Sequence, residues 1–332
     1  MLKVIKGGIE CVIEDWPGRL GYMGLGMAAS GAMDNLALQF GNLLLGNKPG
    51  EAGIEIAGGY CSFEILEDGV IAITGADMDV KKNGESVPLW EAFAVKAGDV
   101  IEFSHFGAVG FRSYLTIAGG IDVPVYLGSK STCSFGSYGG FEGRKLQEGD
   151  VIKAELKGQG ASSVGNRINP KYIPEYTNNW ELRAIPGQNS APDYVTEEGM
   201  DYLFSAPMKI SHNANRAAYR LQEVPAYFWA REDGGKGGSH PSNIVDHGYN
   251  MRGALNVTGN TPSLLVADGP TLGGFVCVAG IINADLWKIG QGIPSRDTIS
   301  LKLCTTEEAI EARKERKAML EAEDLVIRIP KI

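Results

Sequence analysis

The chain has 332 residues, of which 44% are hydrophobic and 21% charged, a globular composition with room for two domains. Its formal net charge is −9, and without any cluster of Lys and Arg it is poorly suited to bind nucleic acid. No apolar run approaches the length of a membrane span, and the amino terminus lacks the apolar segment of a signal peptide, so we expect a cytoplasmic protein that does not enter membranes.

The first half of the chain alternates short apolar runs with turn residues, which is typical of a mainly β fold. Strands are predicted at 61–66, 70–74, 100–103 and 112–117. An Asp-containing turn opens an apolar run three times along the chain, at Asp99, at Asp150 and, more weakly, at Asp297. These recurrences suggest barrel-like β units, one of which recurs in the second half.

Few helices are expected between the strands. Residues 33–44 follow helical spacing, Ser30 or Asp34 can cap this helix, and Gly46 ends it. Further helices are predicted at 197–204, 284–289 and 306–322, the last of which begins with the capping box Thr305-x-x-Glu308. The polar stretch 158–176 is the best linker candidate, so we divide the chain near residue 160.

The first segment that could carry chemistry is 15–34, DWPGRLGYMGLGMAASGAMD. Its five glycines forbid a long helix and bring backbone N–H groups near the surface. Arg19 and Asp34 are among its charged members. The segment can equally be a loop tied to the beginning of a helix.

The second segment, 211–249, contains Asn215, Arg216 and Arg220, a glycine-rich stretch, then His240, Asn243, Asp246 and His247. Two His residues with one Asp invite a metal site, but their spacing fits no zinc pattern, and we predict no metal. The two arginines suit a helix or a strand, and they can equally form surface ion pairs. The five scattered cysteines form no Cys-x-x-Cys pair, so they are expected to be reduced and chemically inert.

The third segment, 267–291, begins with a turn that contains Asp268, Gly273 and Gly274 and continues to Lys288. Its glycines could cradle a phosphate, but the Lys-Ser/Thr ending of a P-loop is missing, and no βαβ context surrounds the turn. A cradle for a small carboxylate or carbonyl group therefore remains open.

At these three segments the chain resembles the family called allophanate hydrolase subunit 2, which includes the carboxyltransferase region of urea carboxylase, KipA and the C subunit of 5-oxoprolinase. The resemblance covers nearly the whole chain, and in the second half it favours the urea carboxylase branch. It rests on a series of short motifs: Pro17-Gly18-Arg19-x-Gly21-Tyr22, Ser30-Gly31-Ala32-Met33-Asp34, Gly75-Ala76-Asp77, Arg112-Ser113-Tyr114-Leu115, Ala118-Gly119-Gly120-Ile121-Asp122, Asn213-x-Asn215-Arg216, His240-Pro241-Ser242-Asn243-Ile244 and Asp268-Gly269-Pro270-x-Leu272-Gly273-Gly274-Phe275.

The resemblance implies a mainly β fold of two cyclophilin-like β-barrel domains with a few short helices, at 1–160 and at 161–332, the second ending in the carboxy-terminal helix. It further implies that the chain transfers a carboxyl group from carboxybiotin, carried on a separate protein, to urea or a related amide or guanidino compound. The implied partners are a carboxyltransferase subunit of the subunit 1 type (KipI- or PxpB-like), a biotin carrier and a biotin carboxylase.

For this reaction we predict that Lys288 or Arg216 stabilises negative charge, together with the backbone N–H groups of Gly273 and Gly274. Asp268, Asn243 and Asp34 would orient the N–H groups of the acceptor, with Asn215 lining the same site. His240 would relay a proton. Each residue also has a structural alternative: Lys288 can cap a helix, Asp268 and Asn243 can form turns, and His240 can support a loop.

Two other functions fit the same resemblance. One is the C subunit of an ATP-dependent 5-oxoprolinase, an amide hydrolase that needs ATP and partners but no biotin. The other is a KipA-like binding protein that antagonises a kinase inhibitor and performs no chemistry.

Overall fold

The computed structural model describes residues 1–155, 160–245, 250–271 and 273–329. The chain folds into two compact units, and each unit contains more than one stretch of sequence. The first unit consists of Met1–Leu20, Ser30–Tyr176 and Met319–Ile332, and the second of Gly21–Ala29 and Thr177–Ala318. The division near residue 160 stays a prediction, and the main crossing between the units follows Tyr176.

The described residues are mainly β structure with a few helices, which confirms the predicted fold class. The strands are β1 (Leu2–Gly7), β2 (Glu10–Glu14), β3 (Gly53–Ala57), β4 (Gly59–Ile65), β5 (Gly69–Gly75), β6 (Lys81–Lys82), β7 (Glu85–Ser86), β8 (Ala92–Val95), β9 (Val100–His105), β10 (Arg112–Ile117), β11 (Ile121–Asp122), β12 (Val151–Ala154), β13 (Arg167–Ile168), β14 (Asn179–Pro186), β15 (Met208–Ala214), β16 (Ala218–Leu221), β17 (Ala254–Thr258), β18 (Thr261–Leu265), β19 (Val276–Ile281), β20 (Thr298–Leu303) and β21 (Val326–Ile327). The α-helices are α1 (Asn35–Leu44), α2 (Glu197–Ser205), α3 (Leu286–Ile289) and α4 (Thr306–Leu320).

The first unit is built from two large sheets that share one hydrophobic core. Seven strands are ordered β11-β12-β1-β4-β9-β6-β7, and five are ordered β2-β3-β10-β5-β8. Alternate residues of both sheets point into the core, where the rings of Phe63 and Phe103 meet edge to face at 6.1 Å. The short strands β13 and β21 pair separately.

The second unit is a closed barrel with the strand order β14-β19-β17-β18-β16-β15-β20. Strands β14 and β20 run parallel, and the other neighbours are antiparallel. The turn before β20 is held by the buried carboxylate of Asp297, which accepts hydrogen bonds from Ile293 N at 2.9 Å and from Trp180 Nε1 at 3.2 Å. Asp99 and Asp150 accept hydrogen bonds from the N–H groups of Lys96 and Gln147, three residues earlier, so in all three predicted Asp turns the carboxylate binds a backbone N–H of its own turn.

The helices follow their local sequence signals. Asp34 caps α1, because one carboxylate oxygen accepts hydrogen bonds from Leu36 N and Ala37 N, each at 3.0 Å. The predicted capping box of α4 is present in both directions: Glu308 N donates to Thr305 Oγ1 at 3.1 Å, and Thr305 N donates to Glu308 Oε2 at 2.8 Å.

Candidate functional site

A glycine turn lies between β18 and β19 in the second unit, and we use this name for residues 268–271 and 273–275. One end is fixed by the hydrogen bond from Asp268 N to Arg216 O at 2.7 Å, and the other by the bond from Ile244 N to Gly274 O at 2.8 Å. Within the part of the chain that the structure describes, no hydrogen bond uses the N–H groups of Gly273 or Gly274. The turn therefore contains two consecutive backbone N–H groups that no described residue uses as hydrogen-bond donors.

Arg216 and Asp268, two of the predicted site residues, form a buried ion pair. Arg216 Nε lies 2.9 Å from one Asp268 oxygen, Nη2 lies 3.2 Å from the other, and the side chains are 2% and 1% exposed. Asn215 accepts hydrogen bonds from the N–H groups of Ala217 and Ala218 and so shapes the turn into β16. The pair is neutral overall, and it fixes the end of the glycine turn from which Asp268 projects.

His240 and Asn243 lie together on the loop that flanks the glycine turn. Ser242 N donates to His240 Nδ1 at 3.1 Å, and Ser242 Oγ lies 2.9 Å from the same ring nitrogen. Asn243 N donates to His240 O at 3.0 Å, and Asn243 forms an isolated β-bridge with Phe275. Asp246 and His247 of the predicted segment lie outside the described residues.

Two buried carboxamides, Asn250 and Asn256, were not among the predicted site residues. They are 8% and 4% exposed, and Asn256 Nδ2 donates to Asn250 Oδ1 at 3.0 Å. Asn250 Nδ2 and Asn256 Oδ1 have no hydrogen-bond partner among the described residues. A Cβ added at Gly273 would lie 3.1 Å from Asn250 Nδ2, which places this amide against the glycine turn. The signal available in the sequence was a carboxamide, Asn256, flanked by the apolar residues of β17.

The loop Gly21–Ala29 also contributes to the second unit, although it belongs to the first glycine segment of the sequence. A Cβ at Gly26 would lie 3.9 Å from Thr271 Oγ1 in the glycine turn. Gly26 has a φ of 81°, which a residue with a side chain adopts only with strain. Two of the three segments selected from the sequence therefore meet here.

Asp34 belongs to the first unit and has a structural environment. Besides capping α1, its second oxygen accepts a hydrogen bond from Tyr176 at 2.9 Å, and its N–H donates to Tyr114 at 2.7 Å. Burial and the neighbouring Glu55 raise the pKa of Tyr114 well above its ordinary value, so this phenol stays protonated. The substrate-binding role of Asp34 stays a prediction.

Lys288 lies on α3, where its ammonium group binds Glu181 O at 2.9 Å and Asp285 Oδ1 at 3.1 Å. Arg183 donates to both oxygens of the same Asp285 carboxylate. These contacts join Lys288 to β14, whereas Arg216 contacts the glycine turn at Asp268 and Asn243 contacts it at Phe275. The catalytic role of Lys288 stays a prediction.

Burial alone would raise the pKa of the Asp285 carboxyl, but the hydrogen bond from Arg183 and the charge of Lys288 outweigh it and hold this pKa below its ordinary value. An ionised Asp285 therefore stabilises the fold above the pKa of about 3.9 that it has when unfolded, and this stability is lost as pH falls through the lower folded pKa. We expect Asp285→Asn to lower the free energy of unfolding by about 1.5–3 kcal/mol near pH 7.

Urea denaturation of both proteins across the acid range measures this difference, which should shrink as pH falls. Glu311→Gln is the matched control, because Glu311 pairs with Lys314 on the exposed face of α4 and should contribute almost nothing. A difference between wild type and Asp285→Asn that is independent of pH would contradict the assignment.

The five cysteines are buried, and they form no disulfide bonds with one another. No three His, Cys, Asp or Glu side chains within the described ranges are grouped as metal ligands would be. None of the helices that the structure describes is both long enough and apolar enough to cross a membrane.

Comparison with known proteins gives a consistent group of relatives. The model of the carboxyltransferase domain, subdomains A and B, matches residues 25–302. Urea amidolyase of Saccharomyces cerevisiae is 37% identical over 297 residues, which are 88% of this chain and 16% of the yeast protein. The C subunit of 5-oxoprolinase from Escherichia coli is 32% identical over 97% of both chains. The crystal structure of Kluyveromyces lactis urea carboxylase superposes with a TM-score of 0.89 at 31% identity, over 98% of this chain and 30% of that one.

Proposed function

Because the chain belongs to the family of the carboxyltransferase domain, subdomains A and B, we propose that it transfers a carboxyl group from carboxybiotin to a nitrogen of urea or a related small amide. The similarity to urea amidolyase and to urea carboxylase supports this class of acceptor. The chain spans between 16% and 30% of the length of its urea carboxylase and urea amidolyase relatives. We assign the remaining steps to partners: a biotin carrier, a biotin carboxylase and a subunit 1-type protein.

The observation that carries this proposal is the pair of N–H groups at Gly273 and Gly274, which form no hydrogen bond with any described residue. Carboxyl transfer to nitrogen builds negative charge on oxygen atoms, and preorganised backbone donors stabilise such charge most effectively where water is excluded. Two adjacent donors in a turn also fit the ureido oxygen of biotin. The buried ion pair of Arg216 and Asp268 fixes one end of the turn, so the donors are held in place before substrate binds.

In the overall reaction an acceptor R–NH2 and N-carboxybiotin give R–NH–COO⁻ and biotin. When bound, carboxybiotin supplies the carboxyl group and its ring nitrogen receives the proton that the acceptor loses. The residues of this chain bind and orient the acceptor, and they move the proton that it loses. His240, which Ser242 holds through its Nδ1 atom, is the proposed relay, and the side chain of Asn243 orients an acceptor N–H.

Reconstitution of the chain with its partner proteins tests this function. We expect ATP turnover that depends on bicarbonate and on urea, and that stops when avidin is added to bind the biotin. Turnover that is insensitive to avidin would overturn the carboxyltransferase assignment.

The Lys288→Met variant in the same assay tests the predicted charge-stabilising role of Lys288. This role requires that the variant loses turnover with little loss of stability.

A second candidate function is that of the C subunit of 5-oxoprolinase. It is favoured by one observation, the alignment with the Escherichia coli protein over 97% of both chains. This function predicts ATP hydrolysis that depends on 5-oxoproline and proceeds without any biotinylated protein. The rate of ATP hydrolysis is measured in one reconstituted preparation, once with urea and once with 5-oxoproline, and the substrate that raises this rate separates the two candidates.

A further inference from the structure

The unpaired atoms of Asn250 and Asn256 are one hydrogen-bond donor and one hydrogen-bond acceptor. Asn250 offers an N–H2 group and Asn256 offers a carbonyl oxygen, and each is without a partner among the described residues. The oxygen and nitrogen of a carboxamide can be exchanged in assignment. If both groups are exchanged, their mutual hydrogen bond is kept and the pair still presents one donor and one acceptor.

Leaving these two atoms unpaired costs stability, because both side chains are more than nine-tenths buried. Buried polar groups in proteins nearly always have a partner, so an orphan donor beside an orphan acceptor calls for a specific explanation. A ligand with a carbonyl oxygen and an N–H group would satisfy both atoms. Urea and primary or secondary amides carry these two groups on adjacent atoms.

The position of the pair agrees with this chemistry. A Cβ at Gly273 would lie 3.1 Å from Asn250 Nδ2 and 3.2 Å from Asn250 Oδ1, so the Asn250 carboxamide packs against the backbone of the glycine turn at Gly273. Asn256 lies on β17, opposite Ser263 of β18 and Cys277 of β19, so the barrel fixes its position. From these contacts we propose that Asn250 and Asn256 form an amide-recognition pair, which binds the acceptor by its carbonyl oxygen and one N–H group. This inference rests on the proposed function, and it assigns to Asn250 and Asn256 the selection of the acceptor in carboxyl transfer.

The test uses the double variant Asn250→Leu/Asn256→Leu, in which apolar side chains of similar size replace both carboxamides. In the reconstituted complex, we expect the KM for urea to rise at least tenfold, because two hydrogen bonds to the acceptor are lost. The melting temperature of the isolated chain should stay equal or rise, since two unsatisfied buried groups are removed. A pair with a purely structural role would instead lower the melting temperature and leave KM unchanged.

Asn189→Leu is the matched control. Asn189 is also buried, at 6% exposure, but its side-chain oxygen accepts a hydrogen bond from Cys277 N at 3.0 Å. This variant should lower the melting temperature and leave the KM for urea unchanged. A KM for urea that rises as much in Asn189→Leu as in the double variant would overturn the proposal.

A second measurement does not depend on turnover or on the folding of any variant. The side-chain NH2 resonances of Asn250 and Asn256 in the wild-type chain are followed by NMR while acetamide, and separately urea, is added. We expect these resonances to shift and those of Asn189 to stay in place. No shift at concentrations that saturate the complex would overturn the amide-recognition pair, even if carboxyl transfer is demonstrated. Avidin-insensitive turnover together with these shifts would overturn the proposed function and leave the pair standing.

Discussion

Replacement of Asp268 by Ala is expected to lower the free energy of unfolding by about 3–5 kcal/mol, because the Arg216 guanidinium then stays buried without its counterion. The two side chains are 2% and 1% exposed, so water cannot replace the lost partner without a change in structure. The glycine turn loses its anchor at the same time, and carboxyl transfer should fall to the background rate. Chemical denaturation of the isolated chain measures the first effect, and the reconstituted assay measures the second.

The double variant Arg216→Met/Asp268→Leu separates charge from packing. Removal of both partners leaves no uncompensated charge, so most of the stability should return while activity stays low. Arg220→Met is the control for a nearby arginine, since Arg220 is partly exposed and its side chain donates to the backbone and side-chain oxygens of Asn213. An Asp268→Ala variant that loses less than about 1 kcal/mol would show that the pair does not hold the turn.

The second large effect is expected from Gly274→Ala. A Cβ at this position would lie 2.9 Å from the backbone oxygen of Ile244, so the turn must shift, and the N–H groups of Gly273 and Gly274 must move with it. Loss of one such donor in enzymes that transfer acyl groups costs about 10²–10³ in kcat. We expect a loss of that size here, mainly in kcat, because the donors act on charge that develops during transfer.

Gly280→Ala provides the comparison for this variant. Gly280 lies on β19, and a Cβ there would meet no atom within 4 Å, so the same chemical change should leave activity intact. Steady-state rates of both variants, together with their melting temperatures, distinguish a lost catalytic group from a general loss of stability. Equal activity of Gly274→Ala and Gly280→Ala would exclude the N–H pair from the reaction.

The parts of the fold that the sequence predicted depend on neighbours along the chain. The apolar spacing of 33–44 and the Thr305-x-x-Glu308 box determine α1 and α4, because their signals lie within a few residues. The Asp turns at 99, 150 and 297 are equally local. Strand positions followed from short apolar runs, although the order of strands in the sheets and the barrel did not.

What escaped prediction depends on contacts that only the barrel creates. Arg216 and Asp268 are 52 positions apart, and nothing local indicates that they pair. Asn250 and Asn256 are candidates because they are buried and lack hydrogen-bond partners among the described residues, and neither property can be predicted from the sequence. The assignment of Gly21–Ala29 to the second unit likewise reflects tertiary packing. The glycine content of the segments drew attention to these loops, because glycine lets the backbone approach a ligand closely, and their role in binding stays a prediction.

Single-turnover transfer is the most direct test of the central claim. A biotin carrier loaded with a ¹⁴C-labelled carboxyl group is mixed with this chain, its subunit 1-type partner and urea, in the absence of ATP. We predict that the label appears as carboxylated urea, in an amount equal to the carboxybiotin lost, and that Gly274→Ala slows this transfer about a hundredfold or more. Decay of the label to CO2 at the same rate with and without the chain, with no carboxylated urea formed, would contradict the assignment.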